Sequence, residues 1–218
     1  MLEAAALIDV PAAVNFAKGQ FQNWMEFNLR ISPDYAVVVY SVGIRHGGQA
    51  EWEYVWKKAK ETKVASETEV MMSSLAHSQE PWLLWRYIRW SLDTGKIRMQ
   101  DVRNLFSYFA VTPLGRSVAL QFMLTEWDEI NKRFGMDAYL LRDIIYATTS
   151  LINTDFEYKQ LERLYRENPP AGFASKAAEN SLALVRSNIY WMKLNHDTIY
   201  EWLKKNAGTD SEGGINRN

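Results

Sequence analysis

Glu80-Pro81-Trp82-Leu83-Leu84-Trp85-Arg86-Tyr87-Ile88-Arg89-Trp90-Ser91-Leu92-Asp93, then Lys96-Ile97-Arg98-Met99-Gln100-Asp101, then Pro113-Leu114-Gly115-Arg116-Ser117-Val118-Ala119-Leu120-Gln121-Phe122-Met123-Leu124-Thr125-Glu126-Trp127, is the stretch that decides the fold. Pro81 suits the first turn of a helix, where its missing N–H costs nothing. Trp82, Trp85 and Arg89 fall at i, i+3 and i+7, a spacing that belongs to a helix face. Gly95 punctuates the run. The cluster Trp82, Trp85, Arg86, Arg89 and Trp90 is expected to be structural, with an Arg stacked on Trp at about 0.5–2 kcal/mol and neighbouring helices fastened through it.

Working outward, helical periodicity dominates and strand-like alternation is scarce. Val37, Val38 and Val39 are β-branched, but Tyr40, Val42 and Ile44 continue the run and Asp34 offers an N-cap, so a buried helix is expected. Ser66 with Glu69 has the spacing of a capping box. Asp137, Thr154 and Ser175 mark further starts. Gly47-Gly48, Gly95, Gly135, the Asn168-Pro169-Pro170-Ala171-Gly172 break and Gly208 mark stops. This punctuation predicts helix pairs over 34–62, 64–93, 98–134, 137–167 and 173–206. Such a period fits an all-α solenoid of antiparallel pairs, in which each unit buries its apolar face on its neighbours. Met71, Met72, Leu75 and Ala76 have core spacing, and the tail from Gly208 to Asn218 is expected to be disordered.

The order of these residues resembles the C-terminal helical domain of the aminopeptidase N-like zinc metallopeptidases, the endoplasmic-reticulum-aminopeptidase-like members included. Glu80, Pro81, Trp82, Leu83, Arg86, Tyr87, Ile97, Arg98, Gln100, Asp101, Pro113, Gly115, Ala119, Phe122 and Trp127 carry it. Val39 to Arg45 with Gly47-Gly48, Glu51, Trp52 and Trp56 extend it upstream. Asn188-Ile189-Tyr190-Trp191 with Ile199, Trp202 and Leu203 extend it downstream, resembling the family's last two helices. The resemblance implies a right-handed HEAT- or armadillo-like solenoid covering residues 1–207. It also implies a domain shortened at its N-terminal side, residues 1–21 being an atypical start or cap. Leu120-Gln121 depart from the family's usual Trp-Asp. Relatives commonly carry a cysteine pair at the positions of Ser41 and His77, and both partners are absent here.

The chemistry of that family lies elsewhere. Its zinc centre needs H-E-x-x-H, with two imidazoles one helical turn apart. The histidines here are His46, His77 and His196, none at that spacing. His77 and Glu80 stand at i, i+3 across a helix boundary and read as a chance pair. His46 is expected solvated in a turn, and His196-Asp197 at the cap of a last helix. Trp24-Met25-Glu26-Phe27-Asn28 is not the family's G-x-M-E-N motif, since Gly is missing and Phe27 intervenes; Trp24 and Phe27 read as packing residues. No catalytic residue, metal ligand or cofactor is therefore assigned, and zinc is expected only in a separate catalytic domain. The resemblance places Tyr139 and Asp143, on a helix expected over Ala138–Leu151, at peptide-cavity-facing positions. Leu140 stands where acid-selective members have Arg, and that role is not carried to Arg142.

Composition bounds the partners. Lys+Arg 25 against Asp+Glu 26 gives a net charge of −1, no basis for nucleic-acid binding. No apolar run approaches the ~18 residues of a membrane span. With no cysteine, disulfides and thiolate sites are excluded, which suits a reducing compartment, while family members are often membrane-anchored or secretory; the compartment stays open. The expected partners are a catalytic domain of the same parent enzyme, or peptide, with a homodimer as a further possibility. A free-standing helical-repeat binding module is the alternative reading.

Overall fold

The computed structural model describes residues 2–170 and 172–206; the expected disordered tail and the stop at Gly208 lie outside them. Among the described residues there are twelve α-helices and no strand, an all-α helical-repeat domain. In chain order they are α1 Leu2–Leu7, α2 Pro11–Phe27, α3 Ala36–His46, α4 Gln49–Glu61, α5 Ala65–Ser74, α6 Pro81–Arg89, α7 Met99–Phe109, α8 Pro113–Thr125, α9 Trp127–Phe134, α10 Ala138–Thr149, α11 Asp155–Glu167 and α12 Phe173–Asn206.

The helices stack in two rows. In one row α3, α5, α7, α10 and α12 touch successively. The other contains α4, α6, α8 and α11, each packed on members of the first row or on its neighbour. This is the solenoid arrangement, in which one continuous core runs from Ala6 to Ile189. Met71, Met72, Leu75 and Ala76 are in that core, as their spacing predicts, and so are Val38 and Val39.

Several helix ends follow from single residues. Pro81 occupies the first turn of α6, and α3 and α9 stop at Gly47 and Gly135. The Asp137 carboxylate accepts from the Leu140 N–H at 3.0 Å, and Thr154 Oγ1 accepts from Glu157 N–H at 3.2 Å. At Gly43, where α3 crosses α2, a Cβ would overlap the Phe21 ring, so only glycine permits the approach.

Other ends differ from the sequence expectation. Asp34 lies inside a short 3-10 turn capped by Ser32, and α3 begins after it at Ala36. Ser66 is already within α5; half of such a box occurs instead at α4, where the Glu51 carboxylate accepts from the Gly48 N–H at 2.7 Å, glycine having no side chain to complete it. Residues 98–134 form three helices rather than a pair, because Thr112 caps a fresh helix at Pro113 and the chain turns again at Glu126. α12 begins two residues before Ser175 and is one uninterrupted helix of 34 residues, where two helices were expected. No Gly or Pro occurs between Phe173 and Asn206, so nothing breaks it. His196 accordingly sits within the helix and caps nothing.

Candidate functional site

The aromatic cluster is the best-built feature of the chain. Trp52 and Trp56, one turn apart on α4, stack with ring centroids 6.1 Å apart and meet Trp90 at 5.6 and 4.5 Å. The Arg86 guanidinium lies over Trp52 at 4.7 Å, Trp90 at 5.2 Å and Trp82 at 5.4 Å, with its Nη2 2.6 Å from Glu53 Oε1. Tyr87 is fully buried and donates to the Met72 carbonyl at 2.9 Å; burial pushes its hydroxyl pKa up. Of the expected cluster, Trp82, Arg86 and Trp90 come together as a helix fastening. Trp85 does not join them and packs on Phe122 at 5.7 Å, and Arg89 pairs with Glu126 at 3.1 Å. Sequence reasoning missed Trp52 and Trp56 as partners, since nothing in a linear pattern connects positions some thirty residues apart.

On α10, Tyr139 is exposed and Asp143 is largely buried. Asp143 Oδ2 is 3.0 Å from Arg103 Nε on α7, and its Oδ1 accepts from Arg142 Nε at 2.9 Å. Arg142 also covers the Tyr139 ring at 5.1 Å. Asp143 is thus the anchor of an ionic tie between α7 and α10, neither solvated nor idle. Leu140 is buried.

The histidines are separate. His46 is exposed, as expected, but is the last residue of α3 rather than part of the turn, with its Nε2 3.7 Å from Asp9 Oδ1. Burial lowers its pKa, helped by Lys18 and Arg45 and opposed by Asp9. His77 lines a cavity of about 30 Å³ together with Ser41 and Arg45; burial lowers its pKa too. Trp24 packs between Tyr40 and Tyr54 at 5.0 and 4.9 Å, as a packing residue should, whereas Phe27 is exposed. Among the described residues no three His, Asp or Glu side chains stand together where they could hold a metal ion, so a zinc ion finds no fit here.

A groove of about 530 Å³ lies between α5 and α7, closed at one end by the α4–α5 linker. Ala65, Thr68, Glu69 and Met72 of α5 face it at i, i+3, i+4 and i+7; Asp101, Asn104, Leu105 and Tyr108 of α7 face it at the same spacing. Two such stripes could have been read from the sequence, though each alone looks like an ordinary amphipathic helix. Arg98 and Asp101 close on each other at 2.7 and 3.3 Å. Lys60 donates to the Lys96 carbonyl at 2.6 Å and lies over Trp56; burial lowers its pKa. Tyr108 is pushed up to about 12, first by burial and then by Glu69 and Asp101.

A different surface lies at the far end. From Leu194 to Asn206 every residue of α12 except Asn195 is exposed, and with Tyr190 and Trp191 this stretch presents Leu194, Ile199, Tyr200, Trp202 and Leu203 to solvent.

Two stacked rows of helices, with a groove between α5 and α7 and an exposed apolar stretch at the end of α12, define an all-α helical-repeat domain. The sequence model of the ERAP1-like C-terminal domain matches residues 1–187, so α1 and α2 fall within the match. The chain belongs to that family. It is 30% identical to aminopeptidase N of Canis lupus familiaris over 210 residues, covering 94% of this chain and 22% of that protein. It is 29% identical to aminopeptidase Ey of Gallus gallus (93% and 21%) and 31% to glutamyl aminopeptidase of Rattus norvegicus (87% and 20%). The chain thus spans about a fifth of the length of the relatives it matches.

Proposed function

We propose that this chain is the non-catalytic C-terminal domain of a zinc aminopeptidase. It closes over a catalytic domain elsewhere in the protein and helps to enclose peptides whose N-terminal residue is removed there. The observation that supports this most is the family match over residues 1–187, joined to relatives named aminopeptidase of which it spans only about a fifth. The zinc belongs, in this reading, to that other domain, and the exposed apolar end of α12 is a surface for a neighbouring part of the parent protein.

The contribution to catalysis is then indirect. Enclosure excludes bulk water and folded proteins and holds the peptide near the reacting centre, where positioning lowers the barrier. Tyr139, exposed and braced from one side by Arg142, is the side chain offered to a peptide; Asp143 positions that brace through its tie to Arg103. In the parent enzyme, Tyr139→Ala should raise KM for longer peptides about threefold to tenfold and leave kcat for a single-residue anilide unchanged. An equal loss on both substrates would remove Tyr139 from the peptide path.

The mass of the native product tests the whole reading. An antibody to this chain should recover a protein several-fold larger than 25.3 kDa that copurifies with aminopeptidase activity. A product near 25.3 kDa without activity would favour the second reading, a free-standing peptide-binding or dimerisation module, to which the uncovered α12 surface also lends itself.

A further inference from the structure

The groove between α5 and α7 has a floor and a rim of different character. Its floor is apolar: Met72, Tyr87, Ile97 and Leu105 are all buried beneath it. At about 530 Å³ it falls within the ~300–1,000 Å³ range of small-ligand sites. On the rim, Arg98 and Asp101 satisfy each other, and the Lys60 ammonium is held by the Lys96 carbonyl. Lys63, Glu69 and Asn104 are exposed and make no hydrogen bond or ion pair among the described residues. A carboxamide presents a donor and an acceptor side by side, the complement of a backbone peptide group. With Arg98 and Asp101 cancelling, Lys60 and Lys63 outnumber Glu69, and the rim favours an acidic occupant.

We propose that this groove binds an extended peptide segment in which an aliphatic side chain is flanked by carboxylates. The aliphatic group enters over Met72 and Leu105, the adjoining peptide group pairs with the Asn104 amide, and a flanking carboxylate meets Lys63. The proposal rests on the peptide-enclosing reading for its class of ligand, but needs neither terminus of the peptide and no catalytic domain.

The test is calorimetric titration of the purified chain with the acetylated and amidated pentapeptide Ala-Glu-Leu-Glu-Ala, its Ala-Lys-Leu-Lys-Ala counterpart and the floor-deleted Ala-Glu-Ala-Glu-Ala. The acidic Leu peptide should bind at least about tenfold more tightly than the Lys peptide, and the Ala version about fivefold more weakly. Lys63→Ala with Asn104→Ala, both on the exposed rim and neutral to folding, should cost about tenfold in Kd, about 1.4 kcal/mol. Equal binding of the three peptides, an unaffected double variant, or no binding up to about 5 mM would overturn it. Blocked termini make the peptides unfit for trimming, so failure here leaves the parent-enzyme reading to the native-mass measurement.

Discussion

Two regions of this molecule are equally rich in aromatic residues and differ in what lies beside them. Around α4 and α6, Trp52, Trp56, Tyr87 and Trp90 are packed ring against ring, with Trp52 and Tyr87 at 0% exposure. Toward the end of α12, Tyr190, Trp191, Tyr200 and Trp202 are each more than half exposed. Both draw on Trp and Tyr carried by helical segments. The difference is the number of flanking rows: α4 and α6 are covered by α5 and by each other's rings, whereas α12 outruns α10 and α11, the helices it packs on. An aromatic stripe therefore reports a contact surface, and only the neighbouring helix decides whether that surface is core.

Substitutions sharpen the contrast. Trp52→Ala removes a fully buried side chain and a hydrogen bond to the Leu75 carbonyl at 3.2 Å. It should cost about 3–5 kcal/mol in chemical denaturation; a loss near zero would mean the α4–α6 packing is not the core it looks to be. Ser41→Cys with His77→Cys should form a disulfide on oxidation, since both side chains line the same small cavity. Closing that loop should stabilise the chain by about 4 kcal/mol in the entropic account. Free thiols under oxidising conditions would show that the two segments do not meet as described.

Arg86→Leu keeps the bulk beside Trp52 and Trp90 but removes the stacked charge and its contact with Glu53. About 1–2 kcal/mol should be lost. The dense half should also respond to acid. Burial lowers the folded pKa of His77 and of His46 below the ordinary 6.5, so the unfolded chain binds more protons in that window. Stability should therefore fall as pH drops below 6.5 and level off once the folded pKa values are passed. His77→Gln should flatten that slope in denaturation series from pH 7 to about pH 5. The smallest effect belongs to the other region: Trp202→Ala should leave the stability of the isolated chain within about 0.5 kcal/mol. A loss as large as that of Trp52→Ala would mean α12 is covered in solution.

Much of the architecture was legible because it is written in local chemistry. Pro81, Asp137, Thr154, Gly47 and Gly135 end or begin helices for reasons confined to one turn, and each does so here. Where the reading went astray, the deciding contact lay elsewhere. Asp34 is taken up in a 3-10 turn capped by Ser32, and α3 starts after Tyr35 without a side-chain cap. The region after Phe173 was divided by an expected pairing period although no residue in it stops a helix. The partner of Asp143, Arg103, is on another helix, and so is the principal partner of Arg86, Trp52, so neither contact could be foreseen. Tertiary partners of this kind leave no mark in a local pattern.

The continuity of α12 also has a mechanical side. Asn188 donates to the Ser150 and Ile152 carbonyls at 2.9 Å, and Lys193 reaches Asp155 at 3.0 Å. The thirteen residues from Leu194 to Asn206 then project as a rod of about 20 Å, stiff because every turn is hydrogen-bonded and none is broken. A rod fixed at its root is a lever: tilting the Asn188 clamp by about 10° would carry the tip through about 4 Å. Small adjustments among the stacked helices are thereby amplified into a displacement of the exposed Tyr200 and Trp202 side chains.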